Sequence, residues 1–277
     1  MSAAEQRLEG LVLRSSPLGE SDRLISLLSA ESGLIRLAVP GARRPKSSLA
    51  AAVPLAVLQL QAGGRGSLKR VRQLKVLRNY SALAQRLETL AAAQGLAELA
   101  LQLVPADAAV EGALEDLLLQ LNRLELVVKE RQESVEALAI AVQGLVHLLA
   151  LGGYALPLAC CARSGAPLDP PLGNWDWRCS LLPGEGFVIG AVAGAQLVLN
   201  ASELALLQRL LRPALPRRRD GALMGPVPVW LRLLQLLELW CREHLGRSAR
   251  SWRLLRQCFA DGASSDSGPA APRRNSP

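Results

Sequence analysis

The stretch Asp22-Arg23-Leu24-Ile25-Ser26-Leu27-Leu28-Ser29-Ala30-Glu31-Ser32-Gly33-Leu34-Ile35-Arg36-Leu37-Ala38-Val39 reads as strand, turn, strand. Asp22 to Ala30 and Leu34 to Val39 are apolar runs of strand length. Glu31-Ser32-Gly33 is a tight connection in which glycine can supply positive φ. Working outward, residues 7–14 form a first strand, and Ser15 to Glu20, with Pro17 and Gly19, a turn. Val53 to Gln61 is a fourth strand, Gly63-Gly64-Arg65-Gly66 a glycine turn, and Ser67 to Leu77 a fifth strand. Five short strands with glycine-rich turns fit a small closed barrel of the OB type. Another small β-barrel or an SH3-like sheet would share this pattern.

Between the third and fourth strands lies Gly41-Ala42-Arg43-Arg44-Pro45-Lys46-Ser47-Ser48. Turn residues make it a loop, and three cations in four positions make it face water or a polyanion. Residues 1–80 carry 13 Lys/Arg against 5 Asp/Glu, whereas the remainder carries 19 of each, so the whole net charge of +8 lies in the first module. A basic excess confined to one segment suits a nucleic-acid backbone. No Phe, Tyr or Trp precedes Tyr80. Without stacking aromatics, binding should go through phosphates, with weak sequence preference and strong salt dependence.

After residue 80 the texture becomes Leu- and Ala-rich. Ser81 to Val104, with Ser81 as N-cap, Ala109 to Val128 and Gln132 to Leu151 read as helices. Ala137 to Ala162 lacks charged residues and is long enough to span a bilayer. Its Gln143, His147, Gly152-Gly153 and Pro157 argue instead for a buried central helix, so no membrane is expected. Residues 152–194, rich in proline and holding three of the five cysteines, read as a loop-rich insert. Helices return at Asn200 to Leu211, Val227 to His244 and Ala249 to Phe259. Residues 261–277 read as a disordered tail. The fold class expected is therefore α+β: an OB-fold barrel over residues 1–80, a predominantly helical domain over 81–260, and the tail.

Few, unevenly spaced cysteines and a polar N-terminus without a signal-peptide pattern point to a reducing cytoplasm. Phosphate-binding Gly-x-x-x-x-Gly-Lys loops, Gly-x-Ser-x-Gly elbows and His-Glu-x-x-His pairs are missing, and the two histidines, His147 and His244, lie in helices, so no enzyme is expected. A structural zinc site needs four ligands. Cys161 has Ser164 where a Cys-x-x-Cys pair would end, and Cys179 lacks a partner three or four residues on, so no cofactor is expected. The fifth strand interleaves Lys69, Arg70, Arg72, Lys75 and Arg78 with apolar residues. Strand parity would put Lys69 with Lys75, and Arg70 with Arg72 and Arg78, in the absence of a bulge.

The ordered set Gly10-Leu11-Val12-Leu13-Arg14, Gly19-Glu20-Ser21-Asp22-Arg23-Leu24, Ser32-Gly33-Leu34 and Gly41-Ala42-Arg43-Arg44 resembles the N-terminal signature of the bacterial RecO recombination-repair family. The likeness extends more weakly through the helical middle, the cysteine-bearing insert and Leu239-Trp240-Cys241-Arg242-Glu243-His244-Leu245. It implies an OB-fold followed by a helical domain, often with a four-cysteine zinc knuckle. It also implies binding of single- and double-stranded DNA, annealing of complementary strands, and work with RecR to load RecA on strands coated by single-strand-binding protein, whose acidic tail docks on the helical domain. Cys161 and Cys179 resemble remnants of the knuckle, with Ser164 in a ligand position. Carried to matching positions, Arg43, Arg44 and Lys46 contact DNA. The full set of candidate contacts is Arg14, Arg23, Arg43, Arg44, Lys46, Lys69, Arg70, Arg72 and Lys75. An RNA- or ribosome-associated OB protein is the alternative.

Overall fold

In the computed structural model, which describes residues 5–64 and 68–260, the first strand is the longest and is shared by two neighbours. Strand β1 (Gln6–Leu18) pairs antiparallel with β4 (Ala56–Gly63) through Leu11, and from there with β2 (Asp22–Ser29). The handover occurs beside Gly10, where a Cβ would meet the Leu28 carbonyl oxygen at 2.1 Å, so a side chain there would block the approach of β2. Strand β3 (Gly33–Val39) continues antiparallel to β2, and β5 (Lys69–Asn79) closes the sheet, parallel to β3 and antiparallel to β4. The order β1-β2-β3-β5-β4 is a closed five-stranded barrel of OB topology.

Alternation explains its core. Leu8, Val12, Ile25, Leu27, Ile35, Leu37, Leu58, Leu60 and Val71 point inward into one apolar cluster. Two boundaries differ from the sequence reading by three residues or more. β1 runs on through Pro17, paired with Arg23, so the turn shrinks to residues 19–21. β4 starts at Ala56 because Leu55 takes φ 64, outside the strand region.

A single 3-10 turn, Ser81–Gln85, follows the barrel. The expected helix from Ser81 is broken at Arg86, which is extended, and α1 spans Leu87–Leu103. The N-cap is Tyr80 and not Ser81, and the Asn79 Oδ1 just before it accepts the Ser81 N–H at 2.9 Å. Helix α2 (Ala113–Lys129) starts late because Gly112 at φ 79 leaves the helical region. Helix α3 (Ser134–Leu151) is the one helix among the described residues with the length and apolarity to cross a membrane, and most of it is buried within this protein.

The insert is less irregular than expected. Strands β6 (Arg178–Leu182), β7 (Gly186–Ile189) and β8 (Leu197–Asn200) form a three-stranded antiparallel sheet in the order β7-β6-β8. Each is four or five residues long, too short for periodicity to register. Helix α4 (Ala201–Arg209) begins with a capping box between Asn200 and Glu203. Helix α5 (Val227–Leu245) packs on α3, and α6 (Arg250–Gln257) on α1.

Barrel and helices share one core. Leu11, Leu13, Leu28, Leu55 and Val57 on the barrel's outer surface join the cluster formed by α1, α2, α3 and α5. The β2–β3 turn is also pinned: Leu34 N–H donates to the Pro105 carbonyl at 3.3 Å, and Asp107 N–H to the Leu34 carbonyl at 3.2 Å. Gly33 has φ 66 and approaches so closely that a Cβ would meet the Ala108 carbonyl oxygen at 1.9 Å. The residues expected to form a tail, 261–277, lie outside the described residues.

Candidate nucleic-acid interface

The basic loop projects because its apolar residues do not. Ala42 and Ala52 are buried in the barrel cluster, and Leu49 and Val53 pack against it, so the segment stops one end of the barrel. Arg43, Arg44 and Lys46 are left exposed. The loop is held by its own turns, with Arg44 N–H donating to the Gly41 carbonyl at 3.0 Å and Ser47 N–H to the Arg44 carbonyl at 3.3 Å. It is also held to the β1–β2 turn. Arg43 donates its N–H to the Ser21 carbonyl at 2.9 Å and its guanidinium to the Gly19 carbonyl at 3.2 Å.

Asp22 is the clamp. Its Oδ1 accepts the Gly41 N–H at 2.8 Å and the Ser21 hydroxyl at 3.1 Å, while Oδ2 lies 3.4 Å from the Arg70 guanidinium. The Gly41 N–H first, then Ser21, Arg70 and Arg44, hold its carboxyl below the ordinary aspartate value despite partial desolvation. One carboxylate thus gathers the β1–β2 turn, the basic loop and the start of β5 at one end of the barrel.

Register supplies the rest of the face. A bulge after Val12 lets Leu13 reach the helical core and turns Arg14 outward, opposite Ser26, which is in turn opposite Arg36. Arg14, Ser26 and Arg36 therefore form one outer row across β1, β2 and β3, and Ser16, Leu24, Ala38 and Arg70 form the next. The outer surface of the second and third strands, with the adjoining loops, is where OB-folds take oligonucleotides. Arg36 was missing from the candidate set. It is one cation in an apolar strand, and only its register places it beside Arg14.

Strand β5 departs from simple parity. It bulges at Arg72 and again at Leu77. Lys75 consequently faces out beside Gln59, in the set of Arg70 and Gln73, and not with Lys69. Several cations have partners within the chain. Lys69 donates to Gln6, Arg72 pairs with Glu5, and Arg23 donates to the Ala50 and Ala52 carbonyls at 3.4 and 3.3 Å, holding the loop's return. Arg78 pairs with Glu125 of α2 at 2.9 Å and lies over the Tyr80 ring, tying barrel to helices. Arg14, Arg36, Arg44, Lys46 and Lys75 have no ion-pair partner among the described residues.

In the cysteine insert, hydrogen bonds fix the loop at Cys161. Gly165 N–H donates to the Cys161 carbonyl at 2.9 Å, and the Ile189 N–H reaches the Cys161 sulfur at 3.4 Å. The Ser164 hydroxyl, then backbone amides, bring the Cys161 thiol down to about 7, while burial and the neighbouring Cys161 push Cys179 up to about 12. No group of three or more His, Cys, Asp or Glu among the described residues could hold a metal ion. With a serine at position 164 and no second sulfur near Cys179 in sequence, this donor set falls short of the four ligands of a tetrahedral zinc. His147 is braced between Asp116 Oδ1 at 3.0 Å and the Leu210 carbonyl at 2.8 Å, a structural bridge in the helical domain.

Residues 1–80 match the family model described as Recombination protein O N terminal, and residues 84–253 match Recombination protein O C terminal. DNA repair protein RecO of Synechococcus sp. (strain WH7803) is 60% identical over 268 residues, covering 96% of this chain and 99% of that protein. DNA repair protein RecO of Prochlorococcus marinus (strain MIT 9303) is 59% identical over 258 residues, covering 93% and 97%. DNA repair protein RecO of Trichodesmium erythraeum (strain IMS101) is 32% identical over 267 residues, covering 89% and 92%. With the closed barrel, the helical domain and the ordered N-terminal signature, these matches show that the chain belongs to the RecO family of DNA repair proteins.

Proposed function

We propose that the chain is a non-enzymatic mediator of recombinational repair that binds single- and double-stranded DNA through phosphates and anneals complementary strands. The observation that carries this reading is the convergence at Asp22 of the basic loop, the β1–β2 turn and Arg70 at one end of the barrel. Arginines and lysines without acidic partners neutralise phosphate charge and release counterions. A barrel face with no aromatic side chain leaves bases unstacked and their pairing edges free. Two strands bound in this way repel each other less and can still pair, which is what annealing requires. The family resemblance supports RecR, the acidic tail of single-strand-binding protein and, indirectly, RecA as partners.

The test is annealing of complementary single strands coated with single-strand-binding protein, with and without this protein. Faster duplex formation supports the proposal. An unchanged annealing rate, with the protein shown to bind the strands, rejects the annealing step.

A further inference from the structure

A cleft of about 650 Å³ runs between the barrel and the helical domain, within the size range of ligand sites. Arg14 and Ser15 of β1 line one side; Gln94 of α1 with Arg247, Ser248 and Arg250 line the other. Three arginines from distant parts of the sequence thus meet across the domain junction. None of them has an ion-pair partner among the described residues. The cleft's one carboxylate, Glu98, is engaged with the Ser251 hydroxyl at 2.9 Å and the Ser251 N–H at 3.3 Å.

The placing of Arg250 is unfavourable for the fold. It is the first residue of α6, whose first turn carries no acid, and a cation at a helix N-terminus opposes the helix dipole. Arg14 belongs both to this cleft and to the outer row with Arg36. Arg14 therefore links the barrel face to the cleft.

We infer that the backbone of one nucleic-acid strand leaves the barrel face over Arg14 and enters this cleft, where Arg247 and Arg250 hold its phosphates. On this reading the cleft, with a wall from each domain and a volume of about 650 Å³, takes up one strand and not a duplex, while the basic loop serves both. A polar, arginine-lined cleft without an exposed aromatic suits a sugar-phosphate chain better than a peptide, which needs apolar anchors. The inference rests on the proposed phosphate-binding function of the barrel.

The test is binding of single-stranded and duplex oligonucleotides of equal length to the full chain across a salt series. The proteins are the wild type, R247A/R250A, R247K/R250K and R43A/R44A/K46A. For single strands, the log–log salt slope of R247A/R250A should fall by about 1.4, two contacts at about 0.7 each. Its duplex slope should stay at the wild-type value, and R247K/R250K should keep both slopes. Thermal unfolding of R247A/R250A should match or slightly exceed the wild type, since both side chains are exposed and unpaired and Arg250 opposes the α6 dipole. Equal loss on both substrates, or no loss, overturns the inference. So does retained single-strand binding with loss of affinity for an Asp/Glu-rich peptide, which would make the cleft a protein-docking site. If the wild type binds neither oligonucleotide, the barrel reading itself fails; if only R43A/R44A/K46A weakens binding, the cleft alone is wrong.

Discussion

Asp22 Oδ1 accepts the backbone N–H of Gly41 at 2.8 Å, and through this contact the first residue of β2 sets the conformation of the basic loop. The same carboxylate faces Arg70 at 3.4 Å, so it organises cations that a nucleic acid would otherwise meet as separate charges. Geometry and charge can be separated here by substitution. Asp22→Asn keeps an oxygen for Gly41 and removes the negative charge, so nucleic-acid affinity should hold or rise. Asp22→Ala removes the acceptor as well, so backbone amides of residues 41–47 should exchange faster with solvent and affinity should fall below that of Asp22→Asn. Hydrogen exchange and a binding titration on both variants check this.

Arg36 and Arg78 distinguish the proposed interface from the structural ion pairs. Arg36 is exposed and unpaired in the outer row, whereas Arg78 is engaged with Glu125 and Tyr80. Arg36→Ala should lower the duplex salt slope by about 0.9, the value of one phosphate contact. Arg78→Ala should leave the slope alone and lower stability by about 1 kcal/mol, because Arg78 itself is 44% exposed and Glu125 keeps Lys129.

Gly95 is a small residue inside α1 because Trp252 needs the space. A Cβ there would meet the indole Cδ1 at 2.6 Å and Nε1 at 2.7 Å. Gly95→Ala should therefore destabilise by about 1–3 kcal/mol through overpacking, despite alanine's better helix propensity. Urea unfolding checks the sign: a stabilised variant would show that α6 can move away at little cost.

The His147 bridge should make stability depend on pH. Burial pulls the imidazole down, but the Asp116 hydrogen bond and charge, with the Leu210 and Arg212 carbonyls, outweigh it and leave the pKa above its ordinary value of 6.5. Both ring nitrogens face acceptors, which only the imidazolium satisfies at once. A raised folded-state pKa contributes stability that is fully present below the unfolded value and lost as pH rises through the folded value. The melting temperature of the wild type should thus fall across that window relative to His147→Gln. His147→Leu should cost about 2 kcal/mol at the acidic end, where a charged hydrogen bond is lost.

The barrel was legible because its strands are apolar runs bounded by glycine turns, and the charge count placed the candidate interface on it. The face was harder to read. Arg14 faces out only because β1 bulges beside it, and Lys75 joins Arg70 only because β5 bulges at Arg72; neither bulge is marked by glycine. Arg36 needs its Ser26 register partner to be seen. Arg23 and Arg72 look like free cations until the chain folds back to bring the Ala50 and Ala52 carbonyls, and Glu5, within reach. The β6–β8 sheet is made of strands too short for alternation to show, amid prolines. Arg247 and Arg250 lie far from the basic module in sequence and reach Arg14 only through the packing of α6 on α1.

The most direct measurement of the central claim is the salt dependence of duplex binding by the wild type and by R43A/R44A/K46A. If the loop holds phosphates, the variant should bind more weakly on every sequence tested, and its log–log slope should be shallower by about 2.7, three contacts at about 0.9 each. Unchanged affinity and slope in a folded variant would contradict it.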